Sequence, residues 1–156
     1  MFWRRKREEA FQRPAPPREV TLKALGFVVN SVSKPRPGGW ESVESAIAFE
    51  PEYAAMLEGL ASYSHVIVTF WMDLAPGAPE KPEQVTLKSG RSYGILATRR
   101  QLRPNHLGVS AVRLLAVDEA TVRVLGLDAI DGTPVLDIKP YLPEYDAHPN
   151  ATIPPG

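Results

Sequence analysis

Apolar residues fall into short runs along most of the chain, and turn residues separate the runs. Leu22 to Val29 is apolar and β-branched toward its end, which predicts a strand. Ser31 to Glu41 follows as a loop with two prolines and the Gly38-Gly39 pair. Val43 to Phe49 alternates as a second strand. Glu50-Pro51 then opens a short helix that Gly59 can stop. Tyr53, Met56, Leu57 and Leu60 share one face at helical spacing, and that face is expected in the core. Ser64 to Met72 is the most continuous apolar run and predicts a central strand with no wet face. After a proline-rich loop from Asp73 to Pro82, further strands are expected at Val85–Leu87, Ser92–Thr98, Val109–Val117 and Thr121–Leu127. The last two are joined tightly through Glu119-Ala120.

The segment Gly126 to Asp146, GLDAIDGTPVLDIKPYLPEYD, closes the pattern. Asp131-Gly132 is a turn pair, because glycine takes positive φ cheaply and aspartate bonds its own local backbone. Val135, Leu136 and Ile138 then have strand character, with Asp137 and Lys139 between them. This reads either as an edge hairpin with a polar outer face or as a strand whose polar positions serve function. About seven short strands at hairpin spacing, with one clear helix, predict an all-β barrel or sandwich.

Composition adds boundaries to this picture. A chain of 156 residues fits one domain. It has no cysteine, which rules out disulfides, thiolate metal sites and thiol catalysis and suits a reducing cytoplasm. No apolar run approaches membrane-spanning length, so no membrane association is expected. Arg4 to Arg7 imitate the start of a signal peptide, but Glu8 and Glu9 follow instead of an apolar stretch. The net charge of zero is unevenly spread: residues 1–18 carry six basic and two acidic groups, leaving the remainder acidic. Residues 1–19 are therefore expected to form a basic, proline-rich extension, 20–146 the barrel, and 147–156 a tail. The extension is either a solvated arm or one that touches nucleic-acid phosphates.

A second polar stretch, TRRQLRPNHLGVS at 98–110, holds three arginines, an asparagine and a histidine. The arginine fork suits carboxylate or phosphate, so this loop is expected to bind a ligand. His65, inside an apolar run, is expected to be a satisfied core histidine. His106 and His148 form no spacing pattern with it, and no metal site is expected. Trp40, after Gly-Gly, fits a lid or a contact between subunits.

These stretches carry a family resemblance. TRRQLRPNHLGVS resembles the TRxxxRPNPIG(L/M)S signature of the TsaA-like family, also called TrmO or YaeB. DGTPVLDIKPYLPEYD at 131–146 is similar, almost letter for letter, to its DGTPVLDIKPYxPxxD signature, and EGLASYSHVIVTFWMD at 58–73 resembles its GLexFSHIWvlFxFH segment. The resemblance implies a single antiparallel β-barrel of about seven strands with one or two short helices. It also implies a cytoplasmic homodimer that uses S-adenosyl-L-methionine to methylate N6 of N6-threonylcarbamoyladenosine, next to the anticodon of tRNA.

Carried over position by position, the family's cofactor contacts fall on Pro35, Arg36, Pro37, Asp73, Leu74, Arg99, Val109, Ala129, Ile130, Asp131 and Gly132. Pro37 replaces a family glutamine, Asp73 stands where histidine is usual, and His106 replaces the proline of RPNP. Methyl transfer needs an aligned nucleophile, and a delocalised adenine nitrogen benefits from a proton acceptor. Asp131 and Asp137 are the expected acceptors, with Lys139 and Tyr141 positioning the base. Arg100, Arg103 and Asn105 are expected to contact RNA. Two alternatives stay open: a methyltransferase of this fold acting on another RNA or a small molecule, and a non-catalytic barrel that binds nucleic acid.

Overall fold

The computed structural model describes residues 10–155. The basic cluster Arg4 to Arg7 lies outside them. Residues 10–25 run exposed or half-buried without regular structure into the first strand. Eight strands follow: β1 (Gly26–Val29), β2 (Glu44–Phe49), β3 (His65–Trp71), β4 (Gln84–Thr86), β5 (Ser92–Gly94), β6 (Leu107–Asp118), β7 (Thr121–Leu125) and β8 (Pro134–Pro140). One four-residue helix, α1 (Pro143–Asp146), follows β8. Six strands close an antiparallel barrel in the order β1-β2-β7-β6-β3-β8, with β8 returning to β1. β4 and β5 pair outside it. The expected single barrel is present, with six strands in its wall instead of about seven.

Strand alternation fills the interior. Val28, Ile47, Val66, Val68, Val122, Val124 and Val135 are almost wholly buried inside the wall. Burying each such side chain contributes about 1.5–3 kcal/mol, which makes the interior the main source of stability. β3 lies centrally between β6 and β8, as its apolar run suggests. Its second face, however, is open: Val66, Val68 and Phe70 point inward, whereas Trp71 on the outer face is 39% exposed. A closed barrel has only one interior, so a continuous apolar run does not imply two dry faces. His65 is likewise exposed on the outer face and not a core histidine. Its Nδ1 lies 2.8 Å from Ser64 Oγ.

The expected helix after Glu50 is a pair of 3₁₀ turns, Pro51–Leu57 and Leu60–Ser62, divided by Gly59 at φ 85°. Three residues per turn change the buried face. Ala54, Leu57 and Leu60 share it, while Met56, placed inward by a 3.6-residue period, is 78% exposed. The expected strands at Leu22–Val29 and Ser92–Thr98 are shorter than their apolar runs. The second gives way to a 3₁₀ turn at Ile95–Ala97.

Two glycines set how closely the wall packs. A Cβ on Gly26 would sit 2.5 Å from the Ala48 carbonyl oxygen, and one on Gly108 would enter the Phe70 ring. Overpacking of this kind costs about 1–3 kcal/mol. Gly108→Ala is therefore expected to lower the free energy of unfolding by that amount in urea denaturation, with Phe70 displaced.

Candidate functional site

At the end of the barrel where β3 finishes and β8 begins, four loops surround a cleft of about 920 Å³. Pro35, Arg36, Pro37 and Trp40 come from the loop after β1, and Asp73 and Leu74 follow β3. Arg99 and Arg100 enter from the loop before β6, and Asp128, Ala129 and Ile130 from the segment before β8. Phe70 and Met72 contribute to its wall.

The cleft's floor is built around Asn30. Its amide nitrogen donates to Ser45 Oγ at 3.0 Å and to the Ala129 carbonyl at 2.8 Å, and its Oδ1 accepts from the Val32 N–H at 3.0 Å. The Asn30 N–H donates to Asp131 Oδ1 at 3.1 Å, and the Asp131 N–H to the Val32 carbonyl at 2.8 Å. Gly132 makes the turn at φ 86°, and Thr133 Oγ1 donates to the Ile130 carbonyl at 2.7 Å. The Asp131-Gly132-Thr133 sequence is thus a latch between β1 and β8.

The clasp beside it is short and polar. Arg36 Nη2 donates to the Gly39 carbonyl at 2.7 Å, and its guanidinium lies 4.9 Å from the centre of the Trp40 ring. Stacking on the indole and the bond to Gly39 together hold the guanidinium at the cleft. Arg99 Nη2 donates to the Val109 carbonyl at 2.9 Å. Arg103 is turned back on its own loop, with Nη1 2.8 Å from the Thr98 carbonyl and 3.3 Å from that of Arg100. His106 takes φ 51°. Proline, whose ring fixes φ near −65°, cannot adopt that conformation.

Eight of the eleven expected cofactor contacts line the cleft: Pro35, Arg36, Pro37, Asp73, Leu74, Arg99, Ala129 and Ile130. Asp131 and Gly132 form the latch behind it. Val109 is 49% exposed and reaches the site through its carbonyl on Arg99. Of the expected RNA contacts, Arg100 lines the cleft, Arg103 staples the loop, and Asn105 sits in its exposed turn. The expected catalytic group is divided. Asp131 is at the cleft end, with one carboxylate oxygen engaged by the Asn30 N–H. Asp137 and Lys139 lie farther along β8, paired across from Thr69 and Ile67. Tyr141 follows the strand's far end, where its N–H donates to the His65 carbonyl at 3.0 Å. At about 3.3 Å per residue, Tyr141 stands more than roughly 20 Å along the wall from Thr133.

Sequence reading passed over Asp128. It lines the cleft and accepts a hydrogen bond from Ser110 Oγ on β6. Its position between two apolar residues of the LDAID run, Leu127 and Ala129, was the available signal. Trp40 is assigned to the cleft wall.

Lys139 Nζ lies 2.7 Å from Asp137 Oδ2. This hydrogen bond, followed by the charge of Asp137, raises the lysine above its ordinary pKa of 10.5. Lys139 is consequently an ammonium at neutral pH, able to donate hydrogen bonds but not to remove a proton. A raised lysine pKa favours the fold below the unfolded value, and that contribution disappears as pH rises through the folded value. Asp137→Asn should return the Lys139 pKa toward 10.5, as read by NMR titration. For the floor, Asn30→Ala leaves Ser45 Oγ and the Ala129 carbonyl without this partner. It is expected to cost about 1–3 kcal/mol in chemical denaturation.

Comparison with known proteins gives this geometry a context. Residues 29–147 match the model of the tRNA-methyltransferase O N-terminal domain. An S-adenosyl-L-methionine-binding protein of Archaeoglobus fulgidus is 39% identical over 131 residues, covering 81% of this chain and 93% of its own length. A tRNA (adenine(37)-N6)-methyltransferase of Eikenella corrodens is 44% identical over 95 residues, covering 58% of this chain and 54% of its own. A crystal structure of TrmO superposes with a TM-score of 0.71 and 31% identity, covering 87% of this chain and 64% of that one. The chain thus spans nearly all of the archaeal relative, but only about half to two thirds of these two longer proteins.

Proposed function

The chain belongs to the tRNA-methyltransferase O N-terminal domain family, and from that premise we propose that it is an S-adenosyl-L-methionine-dependent methyltransferase acting on tRNA. Its proposed target is N6 of N6-threonylcarbamoyladenosine next to the anticodon. The observation that carries this reading is the convergence of four separated loops, each bearing expected cofactor residues, on one cleft. The enzyme would act in the cytoplasm as a homodimer. Among the described residues no helix is long and apolar enough to cross a membrane.

The cleft's donor set suits the cofactor. Arg99 and Arg100 offer guanidinium donors for a carboxylate, and Asp73 offers acceptors for an ammonium group or ribose hydroxyls. Pro35, Leu74, Ile130 and the Trp40 ring provide apolar surface for an adenine. Bound there, the cofactor supplies an electrophilic methyl group. The chain's task is to align the adenine nitrogen with that methyl and to accept the proton the nitrogen loses. Asp128 and Asp131 can serve the second role, each with one oxygen held, by Ser110 and by the Asn30 N–H, and the other available; Asp128 is the one of the two that lines the cleft.

Calorimetric titration with S-adenosylmethionine and S-adenosylhomocysteine should give saturable binding that Arg99→Ala weakens at least about tenfold, the loss of one charge-assisted contact. Methyl transfer to tRNA bearing the threonylcarbamoyl group should fall with it. Absence of binding to either compound, with and without tRNA, would leave a barrel that binds nucleic acid without catalysis.

A further inference from the structure

The arginines that line the cleft, Arg36, Arg99 and Arg100, are not equally committed. Arg36 is held by the Gly39 carbonyl and the Trp40 ring, and Arg99 by the Val109 carbonyl. Of Arg100, only the backbone is engaged among the described residues. Its N–H donates to Thr98 Oγ1 at 3.4 Å, and its carbonyl accepts from Arg103 Nη1 at 3.3 Å. The same Arg103 nitrogen also holds the Thr98 carbonyl at 2.8 Å. Arg103 thus fixes the chain on both sides of Arg99 and leaves the Arg100 guanidinium as an uncommitted cation on a fixed backbone. An anion that binds there displaces no internal partner, and the fixed backbone lowers the cost of ordering the contact.

The charges of the cleft indicate what that cation meets. S-adenosylmethionine carries one carboxylate, and Arg36 and Arg99, unlike Arg100, are among the positions expected to hold the cofactor. The proposed substrate carries another carboxylate. The amino acid joined to N6 through the carbamoyl group ends in a free one, only a few bonds from the reacting nitrogen. Asp73, Glu80 and Asp128 also line the cleft, so an anion that enters it unaccompanied meets like charge. An arginine fork answers a carboxylate with two parallel hydrogen bonds. A phosphate would suit the same group, but Arg100 lines the cleft itself, which the base and not the backbone must enter for its nitrogen to reach the methyl group. The volume of about 920 Å³ stands at the upper end of the roughly 300–1,000 Å³ usual for small-molecule sites, which leaves room for a modified base beside the cofactor. We propose that Arg100 is a specificity residue that pairs with the amino-acid carboxylate of the modified adenine, so that an adenine lacking this carboxylate is held poorly. This rests on the functional reading above, and it narrows the RNA contact expected of Arg100 to one substituent of one base.

Equilibrium binding of two anticodon stem-loop RNAs, in the presence of S-adenosylhomocysteine, tests this. One bears the N6-threonylcarbamoyl group, and the other bears its carboxamide, which keeps the shape and removes the charge. The wild-type chain should bind the carboxylate RNA at least about tenfold more tightly than the carboxamide, the worth of one charge-assisted contact. Arg100→Gln should bind the two RNAs alike, and Arg100→Lys should recover part of the preference, because it keeps the charge without the fork. Circular dichroism of each variant verifies the fold. An equal loss of affinity for both RNAs in Arg100→Gln would make the residue a phosphate contact and overturn the proposal. So would a preference that survives in Arg100→Gln, a wild-type chain that binds the two RNAs alike or binds neither, or a tenfold loss of S-adenosylhomocysteine affinity in Arg100→Gln by calorimetry, which would assign the residue to the cofactor. Methyl transfer to the same RNAs is measured separately. A wild-type chain that distinguishes the RNAs but transfers no methyl group would lose the functional reading and keep the carboxylate contact. One that binds and methylates both RNAs equally well would keep the functional reading and lose the contact.

Discussion

Asn30 uses both ends of its side-chain amide inside the barrel mouth, and the cleft depends on that arrangement. Its nitrogen ties β2, through Ser45, to the chain entering β8, through Ala129, while its oxygen holds the turn leaving β1. Ser45 is 1% exposed and Ala129 is 4% exposed. Their polar atoms have left water, and a bond left unmade there would cost more than the same bond at the surface. The same residue's N–H is taken by Asp131. One asparagine therefore fixes the spacing of three strands at the end where the ligand-binding loops leave the wall.

Closure of the sheet imposes the second constraint. Every strand of a closed barrel has one side inward and one outward, so a run of specific residues along one strand is divided between two surfaces. In β8 the division is visible residue by residue. Val135 fills the interior, while Asp137 and Lys139 form an exposed ion pair. A bulge opposite Thr69 and Phe70 leaves Leu136 unpaired and resets the alternation between the latch and the charged pair. The proximity of these residues in sequence thus does not make them neighbours at one site.

Much of the architecture was legible because alternation and turn chemistry are local. The Asp131-Gly132 turn, the tight Glu119-Ala120 connection and the barrel strands were all available from spacing and residue type. The elements that misled were decided by partners far away in sequence. Met56 follows a helical period, but the segment winds as a 3₁₀ turn with another buried face. His65 sits among apolar neighbours, yet the side of β3 that faces out is set by pairing with β6 and β8. Within the site, the loops bearing Pro35, Asp73, Arg99 and Ala129 could be matched to a family pattern one by one. Asp128 could not be ranked above its neighbours, because its distinction is a contact with Ser110, 18 residues away. Arg103 is expected to bind a ligand from its guanidinium alone, and residue type could not disclose that the same group also meets the Thr98 and Arg100 carbonyls.

The left-handed backbone at His106 has a consequence for how sequences of this family can change. In the pattern that this loop resembles, the position is proline, whose ring excludes the φ of 51° found here. Exchanging the two residues is therefore not a single neutral step in either direction. The turn from Arg103 to Leu107 must be rebuilt together with the side chain, including the His106 Nδ1 contact with the Gln101 carbonyl at 3.1 Å. A loop built for histidine and a loop built for proline are separate solutions, and a substitution tolerated in one need not be tolerated in the other.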